Sequence, residues 1–125
     1  MGAVVTKRDL GLLRHAALVA MNSTLRVRVG AITEAYFKGW NRKHTHPKLV
    51  EWGYEEHSDI HAEADLALNG YEAICGRMIY VARLTRDGEW ALAKPCEACM
   101  ALLAHAEVKG VVWTTGPGTG EGVRL

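Results

Sequence analysis

Cysteine is scarce in this sequence, with only three among 125 residues. An odd number of cysteines argues against a disulfide framework and indicates a reducing compartment. Three cysteines also exclude a structural zinc site built from four thiolates. We therefore expect a cytoplasmic protein in which any zinc site needs a ligand other than cysteine.

The sequence also lacks an excess of either charge and a long apolar run. Its 15 basic and 14 acidic side chains leave a formal net charge of +1, so we expect no global attraction to nucleic acid or an anionic membrane. Arg14 and His15 interrupt the apolar stretch near the start, which fits neither a signal peptide nor a transmembrane segment. We predict a single domain over residues 1–125 with no membrane partner.

Hydrophobic periodicity predicts a chain of mixed helices and strands. The predicted helices cover residues 7–22, 59–72 and 95–110, and the predicted strands cover 25–32, 35–40, 77–85, 90–93 and 111–115. Ser58 or Asp59 is expected to cap the second helix. A long polar loop is predicted over 41–59, and the glycine-rich tail over 116–125 is predicted to be flexible or to cover an edge of the sheet. This order of elements predicts an α/β sandwich around one mixed sheet.

Two of the three cysteines are spaced so that they could act together in metal binding or redox chemistry. Cys96 and Cys99 lie at positions i and i+3 directly after Pro95, which is typical of a first helical turn. Both thiols then point the same way, and the helix N-terminus favours their thiolates. Such a pair suits a redox site or Zn²⁺, but a redox site leaves His61 and Glu63 unexplained. With His61 as the third ligand, the open fourth position predicts a catalytic metal, and Glu63 lies near enough to reach an activated water without ligating.

Two short motifs carry a resemblance to a known family. The stretch HAE at 61–63 fits H-x-E, and PCEAC at 95–99, about thirty residues later, fits P-C-x-x-C, the signature of zinc-dependent nucleobase deaminases. From Leu25 to Thr115 the chain resembles the cytidine and deoxycytidylate deaminase family. The further similar stretches are VGAI at 29–32, GWN at 39–41 and MIYVAR at 78–83. The resemblance implies a three-layer α/β/α sandwich around one mixed sheet, and a homo-oligomer.

The same resemblance implies roles for individual residues. It implies that His61, Cys96 and Cys99 bind Zn²⁺ and that Glu63 moves protons between water, the base and the leaving ammonia. It also implies that the backbone around Ala62 binds the base. Asn41 matches the asparagine that contacts the sugar in this family, and its other interpretation is a turn-forming residue after a strand.

A nucleotide substrate also needs a phosphate site, for which local cations are suited. The predicted phosphate ligands lie on the first strand and directly after Asn41: Arg26, Arg28, Arg42, Lys43 and His44. Their other interpretation is a polar outer strand face and a solvated loop. A second, structural metal site formed by His44, His46 and His57 is a further hypothesis, although histidine-rich loops are more commonly just exposed.

We predict from these residues a zinc-dependent hydrolase that converts a free cytosine nucleotide, dCMP, to dUMP and ammonia. The chain resembles short phage and bacterial deoxycytidylate deaminases, and a phage-encoded protein would act in the host cytoplasm. GWNR at 39–42 resembles tRNA adenosine deaminases, so tRNA or single-stranded nucleic acid is the alternative substrate. A non-catalytic zinc module is a third hypothesis, and Glu63 argues against it because a structural site has no need of this carboxylate.

Overall fold

The structure, a computed structural model, describes residues 5–43, 46–52 and 59–125. Its helices are α1 (Lys7–Ala20), α2 (Pro47–Glu51), α3 (Ala62–Gly70) and α4 (Glu97–His105). Its strands are β1 (Arg28–Thr33), β2 (Lys38–Trp40), β3 (Arg42–Lys43), β4 (Asp59–Ile60), β5 (Met78–Leu84), β6 (Trp90–Ala91), β7 (Gly110–Gly116) and β8 (Thr119–Arg124). Among these helices, none is both long and apolar enough to cross a membrane.

The main sheet is mixed, as the sequence predicts. Its strand order is β2-β1-β5-β7-β8, and β6 pairs with the end of β5. β5 and β7 run parallel, with Val81 opposite Trp113, so α4 lies in the crossover between them. The remaining pairs of this sheet are antiparallel. β3 and β4 form a separate two-stranded sheet.

Helices cover both faces of the main sheet, which confirms the predicted three-layer α/β/α arrangement. Along β5, Ile79 and Val81 pack into the core shared with α3 and α4, whereas Tyr80 and Ala82 pack into the core shared with α1. This alternation follows from the two-residue period of a strand. The face of α3 and α4 is called the site face below.

The close approach of β2 to α3 requires a residue without a side chain. A Cβ built on Gly39 would collide with the backbone of Ala62 and Leu66 in α3. Because the start of α3 carries the HAE motif, this approach fixes the depth at which the motif lies against the sheet. Glycine at position 39 is therefore part of what positions the site.

Several boundaries differ from the sequence predictions. The first strand begins at Arg28 rather than at Leu25. The predicted polar loop over 41–59 contains β3, α2 and part of β4. Residues 119–124 of the predicted tail form β8 and pair with β7 from Gly110 to Gly116, so they cover an edge of the sheet instead of forming a flexible tail. Glycines along this segment masked its strand character, since glycine disfavours strands on propensity alone.

The ends of the two site helices also differ from the predictions. α3 begins at Ala62 with His61 as its N-cap, and the His61 imidazole does not accept a capping hydrogen bond from the first turn of the helix. Asp59 lies in β4 instead of capping the helix, and Ser58 lies outside the described residues. α4 ends at His105 rather than near Gly110, where β7 already begins. Because the imidazole of His61 does not cap α3, it can face the start of α4 instead.

Candidate active site

The starts of α3 and α4 bring one histidine and two cysteines together. His61 and Cys96 are the N-cap residues of the two helices, and Cys99 follows in the first turn of α4. The ligand atoms of these three side chains lie within 4.8 Å of one another. Nδ1 of His61 is 3.5 Å from Sγ of Cys96 and 3.5 Å from Sγ of Cys99. The imidazole nitrogen therefore faces both sulfurs at one point between the helices.

This geometry fits Zn²⁺. A tetrahedral centre with Zn–S of about 2.3 Å and Zn–N of about 2.0–2.1 Å holds nitrogen and sulfur about 3.5 Å apart. The two nitrogen–sulfur distances in the structure match that separation. One imidazole and two thiolates also form a ligand set used in catalytic zinc sites, which keep a fourth position for water or substrate. The assignment of the three residues as ligands stays a prediction.

The environment of Cys96 favours the thiolate that a metal requires. Hydrogen bonding from Cys99 lowers the pKa of Cys96 to about 4, against the opposing effect of burial. The charge on His61 lowers it further. A thiol held near this pKa is deprotonated at neutral pH and ready to bind a cation.

Glu63 lies beside this group without belonging to it. It occupies the first turn of α3, is 4% exposed, and lines the same cavity as His61 and Cys96. Burial raises the pKa of Glu63 to about 7, although its own backbone N–H and the charge on His61 act in the opposite direction. A carboxyl group with a pKa near neutrality can both accept and donate a proton at physiological pH.

The cavity has a volume of about 290 Å³ and opens beside the metal-ligand group. Its floor includes Ala62 and Glu63 at the N-terminus of α3. Val27 and Val29 line it from the side of β1, and Leu92 lines it from the segment that follows β6. The cavity thus combines apolar walls with a few polar groups at its base, as small-molecule sites commonly do.

Asn41 lines the cavity, and its side chain is bonded to the main chain. Its Oδ1 accepts a hydrogen bond from the Val29 N–H at 2.8 Å, and its Nδ2 donates to the Val27 carbonyl oxygen at 2.5 Å. The hydroxyl of Ser23 donates to the Asn41 carbonyl oxygen at 2.8 Å. These bonds tie Asn41 to the chain that enters β1, and the predicted sugar contact of Asn41 stays a prediction.

Asp65 joins the strands beside the cavity to α3, and the sequence analysis did not single it out. Its Oδ2 accepts from the Trp40 N–H at 3.1 Å, and its Oδ1 accepts from Nε of Arg42 at 2.8 Å. Trp40 and Arg42 are the two neighbours of Asn41 in the chain. Asp65 therefore holds this stretch of chain against the helix that carries Glu63. The one feature of the sequence that could have indicated this residue is that a second acidic side chain follows Glu63 by two positions.

Four of the five predicted phosphate ligands are described by the structure, and these four do not line the cavity. Arg28 is opposite Leu84 in the β1–β5 pairing and so lies on the α1 face, where its guanidinium donates to the Thr85 carbonyl oxygen at 2.8 Å. Arg42 is paired with Asp65. Arg26 and Lys43 are exposed outside the cavity. His44 lies outside the described residues.

The hypothesis of a second metal site rests on residues that the structure describes only in part. His44 and His57 lie outside the described residues. His46 is the N-cap of α2, where its Nδ1 accepts from the Lys48 N–H at 3.1 Å. The contact that the structure describes for His46 is therefore a helix-capping hydrogen bond, and the second metal site stays a hypothesis.

Two cations that the sequence analysis missed do line the cavity, namely Arg83 and Lys94. Arg83 is opposite Val29 in the sheet register and two residues beyond Val81, so it lies on the site face. The alternation in MIYVARL was a signal for this placement, because residues 79, 81 and 83 share one face. The sequence does not indicate the position of Lys94 in this way, because this residue lies between a short strand and a helix, where no regular alternation assigns it to a face.

Known proteins that are similar to this chain were found by comparing structures and not by comparing sequences. No protein-family model matches the sequence, and no curated protein is detectably similar to it. The crystal structure of dCMP deaminase from the cyanophage S-TIM5, in apo form, is similar with a TM-score of 0.61 and 20% sequence identity, over 90% of this chain and 86% of that chain. A crystal structure of a mutant cytidine deaminase from Mycobacterium tuberculosis is similar with a TM-score of 0.50 and 16% identity, over 84% of this chain and 85% of that chain. This chain therefore has the cytidine-deaminase-like fold that its motifs predict.

Proposed function

We propose that this protein is a zinc-dependent hydrolase that deaminates a free cytosine nucleotide, dCMP, to dUMP with release of ammonia. The observation that carries the proposal is the position of Glu63 in a cavity beside the group of His61, Cys96 and Cys99. A structural metal site has no use for an adjacent buried carboxylate that is not a ligand. A hydrolytic site needs one, because protons must move from water to the leaving group.

Each residue has a task in this proposal. His61, Cys96 and Cys99 hold Zn²⁺, which when bound makes water nucleophilic near neutral pH. Glu63 accepts one proton from the attacking water and delivers it to the ring nitrogen, and then accepts the second proton from the hydroxyl left on the ring carbon and delivers it to the departing amine. Cytosine and water thereby become uracil and ammonia, with every proton accounted for.

The base is proposed to bind at the N-terminus of α3. Ala62 is fully buried and lines the cavity, so its small side chain leaves room for a planar ring. Val29 supplies an apolar wall for the ring face. Asn41 is proposed to contact the sugar through the second N–H of Nδ2 or the second lone pair of Oδ1, because the bonds to Val27 and Val29 use one donor and one lone pair of the amide group.

Three observations support a cytosine mononucleotide over a longer nucleic acid. A volume of about 290 Å³ is near the lower end of ligand pockets, which span about 300–1,000 Å³. The formal net charge of +1 gives little general attraction to a polyanion. Two structures of similar fold are a dCMP deaminase and a cytidine deaminase. Homo-oligomerisation and a cytoplasmic location stay predictions of the sequence.

The proposal is tested by measuring ammonia release from a panel of substrates. Zinc-loaded protein is incubated with dCMP, dCTP, deoxycytidine, dAMP, a tRNA anticodon stem-loop and a single-stranded oligonucleotide. We expect ammonia and a uracil product from dCMP, and loss of both after chelation with recovery on adding zinc. Release from the stem-loop or the oligonucleotide alone would contradict the proposed substrate, and no release from any of them would contradict the reaction.

A further inference from the structure

Two unassigned cations share one wall of the cavity. Arg83 is the penultimate residue of β5, and Lys94 lies in the segment between β6 and α4. The ladder between β5 and β6 places Arg83 opposite Ala91, three residues before Lys94. The two residues therefore belong to adjacent segments that both line the cavity.

Thr114 of β7 fixes both segments. This residue is fully buried, and its hydroxyl accepts from the Arg83 N–H at 3.2 Å and donates to the Ala91 carbonyl oxygen at 2.6 Å. Its own carbonyl oxygen accepts from the Ala93 N–H at 2.9 Å. One buried residue thus anchors the main chain at Arg83 and immediately before Lys94. The main chain that carries Arg83 and Lys94 is therefore held in place by hydrogen bonds to Thr114.

Arg83 and Lys94 carry charges that no acidic group neutralises in the part of the chain that the structure describes. Nζ of Lys94 lies 5.8 Å from the ring centroid of Trp113, a contact that steadies the ammonium group without cancelling its charge. The acidic residues of the cavity are Glu63 at its base and Asp59 on β4. Arg83 and Lys94 are both exposed residues of the cavity lining, so we place them at the mouth of the cavity.

We propose that Arg83 and Lys94 bind the phosphate group of the nucleotide substrate and so make this site selective for nucleotides over nucleosides. The inference rests on the proposed function, because it places the base at Glu63 and the phosphate at the mouth. Arginine offers two parallel N–H donors to a phosphate, and lysine adds a point charge. The pair replaces the phosphate site expected at Arg26 and Arg28.

The test compares Arg83→Ala, Lys94→Ala and the double variant with a matched control, Arg26→Ala. Arg26 is also an exposed arginine but lies outside the cavity. Steady-state kinetics on dCMP and on deoxycytidine separate the phosphate contact from the chemistry, because deoxycytidine has no phosphate. We expect each single change to lower kcat/KM for dCMP about ten- to a hundredfold through a higher KM, since each removes a charge-assisted hydrogen bond. Turnover of deoxycytidine should stay unchanged, and Arg83→Lys should recover part of the loss.

A binding measurement tests the phosphate site without relying on catalytic turnover. Calorimetry of the zinc-loaded protein with dUMP and with deoxyuridine should give tighter binding of dUMP, and this difference should disappear in the double variant. Equal losses with both ligands, or no loss in any variant, would overturn the phosphate assignment. Wild-type protein that prefers dUMP yet releases no ammonia would instead contradict the proposed reaction alone. An activity on dCTP or an oligonucleotide that exceeds the activity on dCMP would show that the cations serve a different phosphate.

Discussion

Removal of the Asp65 carboxylate should destabilise the protein by an amount that its contacts allow us to estimate. The Asp65 side chain is 3% exposed and accepts from the Trp40 N–H and from Arg42. Asp65→Ala leaves the partly buried Trp40 N–H without its acceptor, which costs about 1–3 kcal/mol. The Arg42 side chain is 47% exposed, so loss of the ion pair adds only about 0–1 kcal/mol. We expect the free energy of unfolding to fall by about 2–3 kcal/mol.

Two matched variants separate the contributions. Asp65→Asn keeps an oxygen that accepts from the Trp40 N–H and loses only the charge, so its cost should be about 1 kcal/mol or less. Arg42→Ala removes the same ion pair from the exposed side and should resemble Asp65→Asn. The order of destabilisation is therefore Asp65→Ala first, with the other two variants similar and milder.

Urea denaturation in excess zinc is the appropriate assay, because metal binding is coupled to folding and partial loading would obscure the comparison. The midpoint should move while the slope stays constant, since the change removes contacts and not a folded segment. Asp65→Ala within about 0.5 kcal/mol of wild type would refute the reasoning, because that is the range of ordinary surface substitutions. Equal costs for Asp65→Ala and Asp65→Asn would locate the effect in the charge and refute the role of the Trp40 N–H.

The remaining predictions concern the metal group and the backbone. Cys99→Ser should lower both the zinc content per chain, measured by plasma mass spectrometry, and the melting temperature, whereas Cys75→Ser, at an exposed thiol, should change neither. Gly39→Ala should destabilise the protein by about 1–3 kcal/mol, because the added methyl group meets the backbone of Ala62. Gly11→Ala, in α1 with no atom within 4 Å of the new Cβ, should instead stabilise it by about 0.5–1 kcal/mol, and two changes of the same sign in urea denaturation would contradict this account.

The layered fold was predictable because its signals are local. Thr6 and Asp9 form a capping box at the start of α1, and β5 combines an apolar run with a two-residue alternation. The metal-ligand group was predictable for a similar reason. Its residues start two helices, and their spacing alone restricts the chemistry they can share.

The predicted phosphate ligands on the first strand depended on which face of the strand meets the cavity. The sequence places Arg26 and Arg28 on alternate positions, but it does not say which face meets α1. The register opposite β5 turns Val29 towards the cavity and Arg28 away from it. A shift of one residue along a strand exchanges its two faces, so composition alone cannot resolve this choice.

Long-range hydrogen bonds were beyond prediction for a different reason. Asp65 reaches Trp40 across 25 residues, and Thr114 reaches Arg83 across 31 residues. Neither residue belongs to a motif, and each resembles an ordinary helix or strand residue in the sequence. Their importance arises only once the sheet order brings the partners together.

The central claim is that Glu63 moves protons beside a zinc ion held by His61, Cys96 and Cys99, and one variant tests it directly. Glu63→Gln keeps the size of the side chain and removes its ability to accept a proton. Zinc content and ammonia release from dCMP should be measured on the same preparation of this variant and of wild type. The account predicts an unchanged zinc content with turnover reduced at least about 10²–10⁴-fold, the contribution of a general acid–base group. Full zinc content with near-normal turnover would contradict it.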